Sequence, residues 1–321
     1  MSPIDVLILS GMPSETPETT ADLVEPIVDR HPDIDVTVAG NYSDGVDKIR
    51  TANAVIALHP TSDHLDNAER LEWMHTLSAG VDHFPLDRLQ REDVVVTTAS
   101  SANSNAVAEH TLSLMLAFER NLNHAIRNQE RTEWQLQFSG ELNGQTVGIL
   151  GLGQIGRRVA ELCTAFGMDV VGLKRDLSDV PDSVDEIYLP DELHTVLGKS
   201  DYVVIACPLT DETKGMISIK ELSESMKRSA VLINVARGEI VEEQHVSVAV
   251  QRGYIAGAAL DVFEEEPLPP DSPIWNTKDI IVTPHAGGTT DRFLQGCGVL
   301  FAKNYDHYSA GRLDEMRNRV I

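Results

Sequence analysis

Short apolar runs alternate with polar stretches of helical composition through the first hundred residues. A regular alternation of this kind is typical of α/β proteins with parallel strands. The predicted strands are Ile4–Leu9, Ile34–Val38, Ala54–Leu58, Trp73–Leu77 and Val94–Thr97. We therefore expect a first α/β unit in this part of the chain.

A long helix is predicted next, over Ala102–Arg120. Its side chains are apolar on most of the circumference, and a helix with that pattern is buried on several sides. We therefore expect this helix to lie between domains or between subunits.

A second and more regular α/β pattern begins at Thr146. Six apolar runs are predicted strands: Thr146–Leu150, Val170–Leu173, Tyr202–Ala206, Val231–Val235, Ile255–Leu260 and Ile280–Thr283. Helical stretches lie between most of them, such as Gln154–Phe166 and Glu242–Arg252, the second of which ends at Gly253. Six parallel strands with crossover helices are the doubly wound dinucleotide-binding arrangement. Residues 289–321 predict one amphipathic helix and a tail.

Composition narrows the class of protein. Among 321 residues, 42% are hydrophobic, and 26 basic against 50 acidic residues give a net charge of −24. Binding to nucleic acid or to an anionic membrane requires a basic face, so neither is expected as a partner. No apolar run approaches the ~20 residues that span a bilayer, and the first residues lack the features of a signal peptide. We expect a cytoplasmic protein of two domains.

The three cysteines, Cys163, Cys207 and Cys297, are scattered, which fits a reducing compartment. Neither they nor the histidines and carboxylates show metal-ligand spacing, so no metal is expected. Only eight of the 26 basic residues are lysine, and acidic residues cluster along the chain. Salt screens the self-repulsion of so large a charge, which predicts adaptation to a cytoplasm of high salt concentration. The alternative is an ordinary acidic protein.

A glycine-rich turn follows the first strand of the second pattern and precedes a helix. It comprises Gly151, Gly153 and Gly156 in the sequence GLGQIG. In this context the glycines permit a tight turn, close approach of a pyrophosphate and packing of helix on strand. The helix N-terminus offers free N–H groups to the phosphates. The turn therefore predicts a dinucleotide cofactor.

The end of the next strand indicates which cofactor. NAD-binding sites place an acidic side chain about 20 residues after the glycines, where it binds the ribose 2′-hydroxyl. Here the strand ends in Lys174 and Arg175. A cationic pair suits the 2′-phosphate of NADP, although it would also suit a solvated strand end. We predict a preference for NADP(H), with NAD(H) as the alternative.

Three chemically useful side chains follow successive strands, at the edge of the sheet where open α/β folds bind ligands. Arg237 follows the fourth strand, Glu266 lies in the loop after the fifth, and His285 follows the sixth. An arginine holds a substrate carboxylate with two hydrogen bonds. A histidine donates a proton to a carbonyl oxygen, and a glutamate bonded to its other nitrogen would orient the ring and raise its pKa. This set fits the reduction of a 2-oxo acid.

These residues lie in segments that resemble the D-isomer-specific 2-hydroxyacid dehydrogenase family. The segments are GLGQIG, CPLTDETKG, LINVARGEIV, AGAALDVFEEEP and VTPHAGG, in the family's order and spacing. The separation is 29 residues from Arg237 to Glu266 and 19 residues from Glu266 to His285. The resemblance covers essentially the whole chain and implies that these three residues are the catalytic set.

The resemblance also implies further contacts. Cofactor contacts are implied at Gln154, Ile155, Cys207, Pro208, Val235, Ala236, Asp261, Gly287 and Gly288. In the segment SAGV, the backbone at Ala79 and Gly80 is implied to hold the substrate carboxylate, together with Arg237 and His285. The chain departs from NAD-dependent relatives where the second strand of the cofactor unit ends, which puts NAD rather than the chemistry in doubt.

A discontinuous domain organisation is implied as well. A flavodoxin-like, doubly wound substrate domain would comprise residues 1–101 and 289–321, and a Rossmann cofactor domain, residues 102–288, would be inserted into it. Family members are usually homodimers, which would account for the long apolar helix. The chain is too short for the C-terminal regulatory domain of some phosphoglycerate dehydrogenases, so no such control is expected.

The leading hypothesis is an NADP-preferring reductase that interconverts 2-oxo acids and D-2-hydroxy acids. A glyoxylate/hydroxypyruvate reductase is the alternative within the same chemistry and differs in the size of the substrate pocket. Formate dehydrogenases resemble this family too, but they pair the histidine with a glutamine, whereas this chain has Glu266. A non-catalytic nucleotide-sensing protein of the same fold is the alternative of a different class, and turnover would distinguish it.

Overall fold

The computed structural model describes residues 4–9, 17–58, 60–78, 80–81, 84–100 and 102–321. They form two compact units, each with its own parallel sheet. The first unit comprises Met1–Asn103 and Thr290–Ile321, and the second comprises Ser104–Thr289. These boundaries lie one or two residues from the positions expected from the sequence.

The first unit is built on short strands connected by helices. The strands in its described part are β1 (Asp5–Ile8), β2 (Asp35–Val38), β3 (Ala54–Ala57), β4 (Trp73–Thr76) and β5 (Val95–Thr98). The helices are α1 (Pro17–Arg30), α2 (Tyr42–Lys48), α3 (Ser62–Asp66), α4 (Leu86–Arg91) and, from the far end of the chain, α10 (Phe293–Ser309). All strand pairs are parallel, in the flavodoxin-like order β2-β1-β3-β4-β5.

Helix α10 completes the core of the first unit although it lies far away in sequence. It packs so closely against α1 that a Cβ on Gly298 would lie 2.3 Å from the carbonyl oxygen of Leu23. The ring of Phe301 stacks on that of Trp73 in β4, with 4.2 Å between the ring centroids. The amphipathic helix expected over residues 289–321 is therefore present and belongs to this unit.

The second unit contains a larger sheet. Its strands are β6 (Thr146–Leu150), β7 (Asp169–Leu173), β8 (Glu186–Tyr188), β9 (Tyr202–Ile205), β10 (Val231–Asn234), β11 (Gly257–Leu260) and β12 (Ile280–Val282). Its helices are α5 (Ser104–Glu119), α6 (Leu122–Glu130), α7 (Gln154–Ala165), α8 (Leu193–Lys199) and α9 (Glu243–Gln251). All strand pairs are parallel, in the order β12-β11-β10-β9-β6-β7-β8. The expected fold class, two doubly wound α/β units, is confirmed.

The expectation of six strands in this sheet is wrong, because the structure contains a seventh. Strand β8 pairs with β7 at the edge of the sheet and has only three residues, Glu186, Ile187 and Tyr188. They are exposed or half-buried. An edge strand that buries so little apolar surface leaves no apolar run in the sequence, which is why it was missed.

Helix α5 contributes one face to the core of the second unit. Val107, Ala108 and Met115 on this face are buried with apolar residues of β6 and α7. The helix expected between domains or subunits therefore buries one face in the core of its own unit. None of the described helices has both the length and the apolar character needed to cross a membrane.

A histidine is fully buried in the first unit. His75 in β4 has no exposed surface, and its Nδ1 lies 2.8 Å from the hydroxyl of Thr97. The indole N–H of Trp73 donates to the same hydroxyl, over 2.9 Å, so the hydroxyl hydrogen is available to His75. Burial lowers the pKa of His75 to about 3, and the ring is therefore neutral in the folded protein.

This histidine makes stability depend on pH. The unfolded chain protonates the ring below about pH 6.5, whereas the folded chain does so only near pH 3. Because the unfolded state then binds more protons, the unfolding free energy should fall as the pH drops from about 6.5 towards 3, by up to ~1.4 kcal/mol per pH unit. Urea unfolding of the protein at about pH 7.5, about pH 5.5 and about pH 4.5 would measure this slope.

The His75→Gln variant should lose most of this slope, even if it is less stable at every pH. The same change at the exposed His194 is the control and should retain the slope. Equal slopes for His75→Gln and the unmodified protein would contradict the assignment of a neutral buried ring.

Candidate active site

The carboxyl ends of β6 and β9 form the point at which the strand order of the second sheet reverses. Gly151, directly after β6, has φ +103°, a value that favours glycine. A Cβ there would lie 2.7 Å from the backbone nitrogen and Cα of Cys207, which follows β9. Only a glycine fits between the two strand ends. Crevices at such reversal points bind ligands in open α/β sheets.

Helix α7 begins at this crevice, with Gly153 as the residue before its first turn. Because Gly153 has no side chain, no side chain at this position caps the N–H groups of that turn. A Cβ on Gly153 would contact nothing within 4 Å, whereas one on Gly156 would lie 2.0 Å from the carbonyl oxygen of Gly151. Open space above free N–H groups suits a pyrophosphate. The turn therefore fits the dinucleotide expected from its sequence, with Gln154 exposed and Ile155 half-buried in the first helical turn.

The two cations after β7 have different surroundings. The Nζ atom of Lys174 donates to the backbone carbonyl of Asp179 over 2.6 Å. Arg175 is exposed. Burial raises the pKa of the Cys207 thiol to about 11, and the positive charge of Arg175 acts against that rise. A carboxylate does occur nearby, at Asp176, but it accepts hydrogen bonds from the backbone N–H and the hydroxyl of Ser178, each over 2.8 Å.

The other expected cofactor residues also follow strands of this sheet. Cys207 and Pro208 come after β9, and Val235 and Ala236 come after β10 and are buried. Each position is thus at the carboxyl edge, on the same side as the glycine-rich turn.

Asp261, directly after β11, holds the loop that carries His285. Its carboxylate accepts hydrogen bonds from the hydroxyl of Thr283 (2.5 Å) and from the N–H groups of Ala286 (2.9 Å) and Gly287 (3.0 Å). Burial acts to raise its pKa, but hydrogen bonds from His110, Thr283, Gly287 and Ala286 outweigh that effect and lower the pKa to about 2. The group is therefore a carboxylate near neutral pH.

His110 on α5 also belongs to this network. Its Nε2 lies 3.1 Å from the hydroxyl of Thr283 and 3.4 Å from the carboxylate of Asp261. Because the Thr283 hydroxyl donates to Asp261, it must accept from His110. Gly287 lies beside them, where a Cβ would be 2.9 Å from the Asp261 carboxylate, and Gly288 follows it, half-buried.

The structure brings Glu266 and His285 into direct contact. The Nδ1 atom of His285 lies 2.8 Å from Oε2 of Glu266. The other oxygen of Glu266 accepts a hydrogen bond from the N–H of Phe263 over 3.0 Å, so the carboxylate is held from both sides. His285 has φ +51°, and its N–H donates to the carbonyls of Asp261 (2.8 Å) and Thr283 (3.0 Å). These contacts hold a backbone conformation that few residues other than glycine adopt.

The side chain of His285 is 52% exposed, which leaves its second ring nitrogen accessible. With Nδ1 facing Glu266, the Nε2 atom points away from the carboxylate. An imidazole held in this way is arranged to exchange a proton with a bound molecule.

Arg237 lies in a tight turn after β10. The amide of Asn234 donates to the carbonyl of Arg237 (2.9 Å), and its oxygen accepts from the N–H of Ala236 (3.1 Å). A Cβ on Gly238 would lie 1.9 Å from the carbonyl carbon of Phe263. The turn that carries Arg237 therefore packs directly on the start of the loop that carries Glu266. The guanidinium donates to the carbonyl of Ala236 over 2.7 Å.

Two expected substrate contacts lie in the first unit. Ala79 lies outside the described residues. Gly80 comes after β4, and its N–H donates to the hydroxyl of Ser78 over 3.2 Å. Across the described ranges, no group of three histidine, cysteine or acidic side chains is arranged to hold a metal ion.

Sequence reasoning missed the residues that position this site rather than those that would react. His110, Asn234 and Gly238 were not singled out as site residues. The last two lie inside the motif NVARG, so their presence was visible. The motif did not show that Asn234 bonds within its own turn or that Gly238 packs on Phe263. His110 lies more than 150 residues from Asp261 and carried no local signal.

Comparison with known proteins identifies a family. The sequence model described as D-isomer specific 2-hydroxyacid dehydrogenase, NAD binding domain, matches residues 112–287. That match covers more than half of the chain.

Two relatives extend the match beyond this domain. The chain is 35% identical to the glyoxylate reductase of Aeropyrum pernix over 285 residues, which cover 85% of the chain and 84% of the reductase. It is 32% identical to the D-3-phosphoglycerate dehydrogenase of Methanocaldococcus jannaschii over 289 residues, which cover 88% of the chain and 55% of that protein. The chain thus spans about half the length of this second relative.

Solved structures agree with the family. A D-isomer specific 2-hydroxyacid dehydrogenase family protein from Aeromonas salmonicida is 28% identical, with a TM-score of 0.84 and 99% of each chain covered. One from Xanthobacter autotrophicus Py2, in complex with NADPH and MES, is 28% identical with a TM-score of 0.83, over 99% of this chain and 98% of that one. The D-lactate dehydrogenase of Aquifex aeolicus, complexed with NAD and lactic acid, is 27% identical with a TM-score of 0.77, over 98% and 99%.

Sequence motifs, fold and relatives therefore lead to one family, and the resemblance seen in the sequence is confirmed. The chain belongs to the D-isomer-specific 2-hydroxyacid dehydrogenases, oxidoreductases that act on CH–OH donors with a nicotinamide cofactor.

Proposed function

We propose that this protein reduces 2-oxo acids to D-2-hydroxy acids with NADPH, and catalyses the reverse oxidation with NADP⁺. Small substrates such as glyoxylate and hydroxypyruvate are the alternative that its relatives favour most, since one of them is named glyoxylate reductase. The observation that carries the proposal is the 2.8 Å contact between His285 Nδ1 and Glu266 Oε2, at the same carboxyl edge of the sheet as a turn that suits a dinucleotide.

His285 is the proposed general acid and base. When bound, the nicotinamide supplies a hydride to the carbonyl carbon of the substrate, and the oxygen then needs a proton. Nε2 of His285 donates it, which completes the hydroxyl group of the product. In the reverse direction the same nitrogen accepts the proton.

Glu266 is the proposed partner of this histidine. Its carboxylate faces Nδ1 and is itself fixed by the N–H of Phe263, over 3.0 Å. A carboxylate in this position holds the imidazole with Nε2 towards the substrate and stabilises the protonated ring. The pair thus holds the Nε2 proton in a fixed position and orientation.

Arg237 is the proposed site for the substrate carboxylate. A guanidinium binds a carboxylate through two parallel N–H···O hydrogen bonds, which fix the orientation as well as the position of the substrate. The close packing of Gly238 on Phe263 keeps the arginine beside the Glu266 loop. A contribution from the backbone at Ala79 and Gly80 stays a prediction.

The proposed preference for NADP(H) rests on Lys174 and Arg175 after β7. Asp176 lies beyond Lys174 and Arg175 and accepts hydrogen bonds from Ser178, so the proposal rests on the two cations nearer the strand end. The Xanthobacter relative was crystallised with NADPH and the Aquifex relative with NAD, so the family context is compatible with either cofactor. The local positive charge is what supports the proposed preference for NADP(H).

Self-association as a homodimer is also proposed. Trp134, Leu136 and Phe138 alternate along an extended segment after α6, and their side chains are 102%, 86% and 98% exposed. Apolar side chains exposed together in this way are typical of interaction sites. A second copy of the chain would present the same segment, as the two-fold symmetry of a dimer requires.

We also propose that the protein functions in a cytoplasm of high salt concentration. A net charge of −24 repels itself, and salt screens that repulsion within about 3 Å at ~1 M. Association of two such chains would benefit from the same screening.

Turnover is the first measurement. In molar KCl, we expect oxidation of NADPH in the presence of glyoxylate, hydroxypyruvate, pyruvate or a bulkier 2-oxo acid. The loss of NADPH absorbance measures this oxidation. The kcat/KM should be at least about tenfold higher with NADPH than with NADH, since charge-assisted hydrogen bonds to the 2′-phosphate are worth this much. Turnover with NADH alone would contradict the cofactor preference. Nucleotide binding without turnover of any substrate would favour the sensing protein.

The role of His285 predicts a specific loss. His285→Ala should lower kcat by ~10²–10⁴-fold, the usual contribution of a general acid, while the dissociation constant of NADPH stays within about twofold. His194→Ala, an exposed histidine on α8, is the matched control and should behave as the unmodified enzyme. A rate for His285→Ala within a few-fold of the control would refute the assignment.

The exposed segment predicts the oligomeric state. The double variant Trp134→Ser, Phe138→Ser should be a monomer by size-exclusion chromatography with light scattering in molar KCl, and the unmodified chain a dimer. Val248→Ser, which changes an exposed apolar residue on α9, should remain dimeric. A monomeric unmodified chain would overturn the proposed dimer.

A further inference from the structure

Two cations from different elements bind the same residue in the loop after β7. Arg157 on α7 donates through Nη2 to the carboxylate of Asp179 (2.5 Å) and to its backbone carbonyl (2.8 Å). Lys174 donates to the same carbonyl over 2.6 Å. Asp179 therefore gathers two positive side chains at the carboxyl end of β7, where the cofactor's adenosine ribose binds in this fold.

The position of Arg157 is set by the glycine-rich turn. It is the residue immediately after Gly156, and its Nε donates to the carbonyl of Leu152, within the turn, over 3.2 Å. That hydrogen bond leaves the two terminal nitrogens of the guanidinium directed at Asp179. Three cations therefore surround this strand end, rather than the two that the sequence suggested.

The contact between Arg157 and Asp179 is readily exchanged. The Asp179 side chain is 72% exposed and that of Arg157 is 26% exposed. Exposed ion pairs shift an equilibrium by about fivefold or less. A phosphate group carries more negative charge and more acceptor oxygens than a carboxylate, and arginine binds it with the same two-pronged geometry. A 2′-phosphate that reached this guanidinium would therefore displace the carboxylate.

We propose that Arg157 is a specificity-determining residue for the 2′-phosphate of NADP(H) and that Asp179 is its internal counter-ion. Without a 2′-phosphate, as with NADH, Asp179 keeps the guanidinium neutralised. With NADPH, the phosphate replaces the carboxylate of Asp179 on Arg157. The inference rests on the proposed NADP(H) preference and adds to it a residue and a competitor for the same cation.

Competition from Asp179 determines whether a substitution tightens or weakens binding of the 2′-phosphate. Removing the charge of Asp179 frees Arg157 from its counter-ion, so binding of the 2′-phosphate tightens. Removing Arg157 weakens that binding and also removes the cation for which Asp179 competes. Ligands without a 2′-phosphate should respond to neither change.

The test measures binding of 2′,5′-ADP and of 5′-AMP by calorimetry, at one fixed KCl concentration at which the protein is folded. Asp179→Asn should lower the dissociation constant of 2′,5′-ADP by about fivefold, and Arg157→Gln should raise it by about tenfold. Neither variant should change the dissociation constant of 5′-AMP by more than about twofold. In the Arg157→Gln background, Asp179→Asn should have little further effect.

Asp182→Asn is the matched control. Asp182 is exposed three residues further along the same loop, so this variant makes the same change in net charge without touching Arg157. Equal effects of Asp182→Asn and Asp179→Asn would overturn the inference, because a general charge effect would then explain both. So would an unchanged affinity of Arg157→Gln for 2′,5′-ADP.

A further variant separates this inference from the proposed cofactor preference. Lys174→Ser with Arg175→Ser should abolish most of the preference for 2′,5′-ADP over 5′-AMP. If this double variant loses the preference and Arg157→Gln keeps it, only the role of Arg157 is wrong. If the unmodified protein does not prefer 2′,5′-ADP at all, the proposed NADP(H) preference fails together with the role of Arg157.

Discussion

The buried carboxylate of Asp261 holds together the part of the second unit that would carry out the chemistry. It follows β11, yet it accepts hydrogen bonds from Thr283, Ala286 and Gly287, which follow the neighbouring β12. His285 lies inside this bonded segment and is held at φ +51°. Burying a charged group is costly unless hydrogen bonds compensate it, and here that compensation also shapes the loop of the proposed acid.

Close backbone contacts at the strand ends position the other site residues. Gly151 meets Cys207 where the strand order reverses, and Gly238 meets Phe263 where the Arg237 turn packs on the Glu266 loop. A side chain at either glycine would push two strand ends apart. The crevice and the proposed catalytic set therefore depend on one condition, namely that neighbouring strands of a parallel sheet end at one level with no side chain between them.

The cations around the end of β7 have a charge opposite in sign to the net charge of the molecule. The chain has a net charge of −24, yet Arg157, Lys174 and Arg175 lie together around the end of β7. Asp179 supplies the carboxylate that pairs with Arg157. The same acidic surface that would keep the protein hydrated in salt thus also provides the competitor for a phosphate site.

By itself, the sequence determined the two α/β units, the family, the glycine-rich turn and the strand-end set of Arg237, Glu266 and His285, because strand periodicity and short motifs are local properties of the chain. It did not reveal β8, whose three edge residues bury too little to form an apolar run. Only the tertiary structure decided that His110 supports Asp261, that Gly238 packs on Phe263 and that Arg157 meets Asp179. Each of these contacts joins segments that folding brings together from separate parts of the chain, and no local pattern encodes such a pairing.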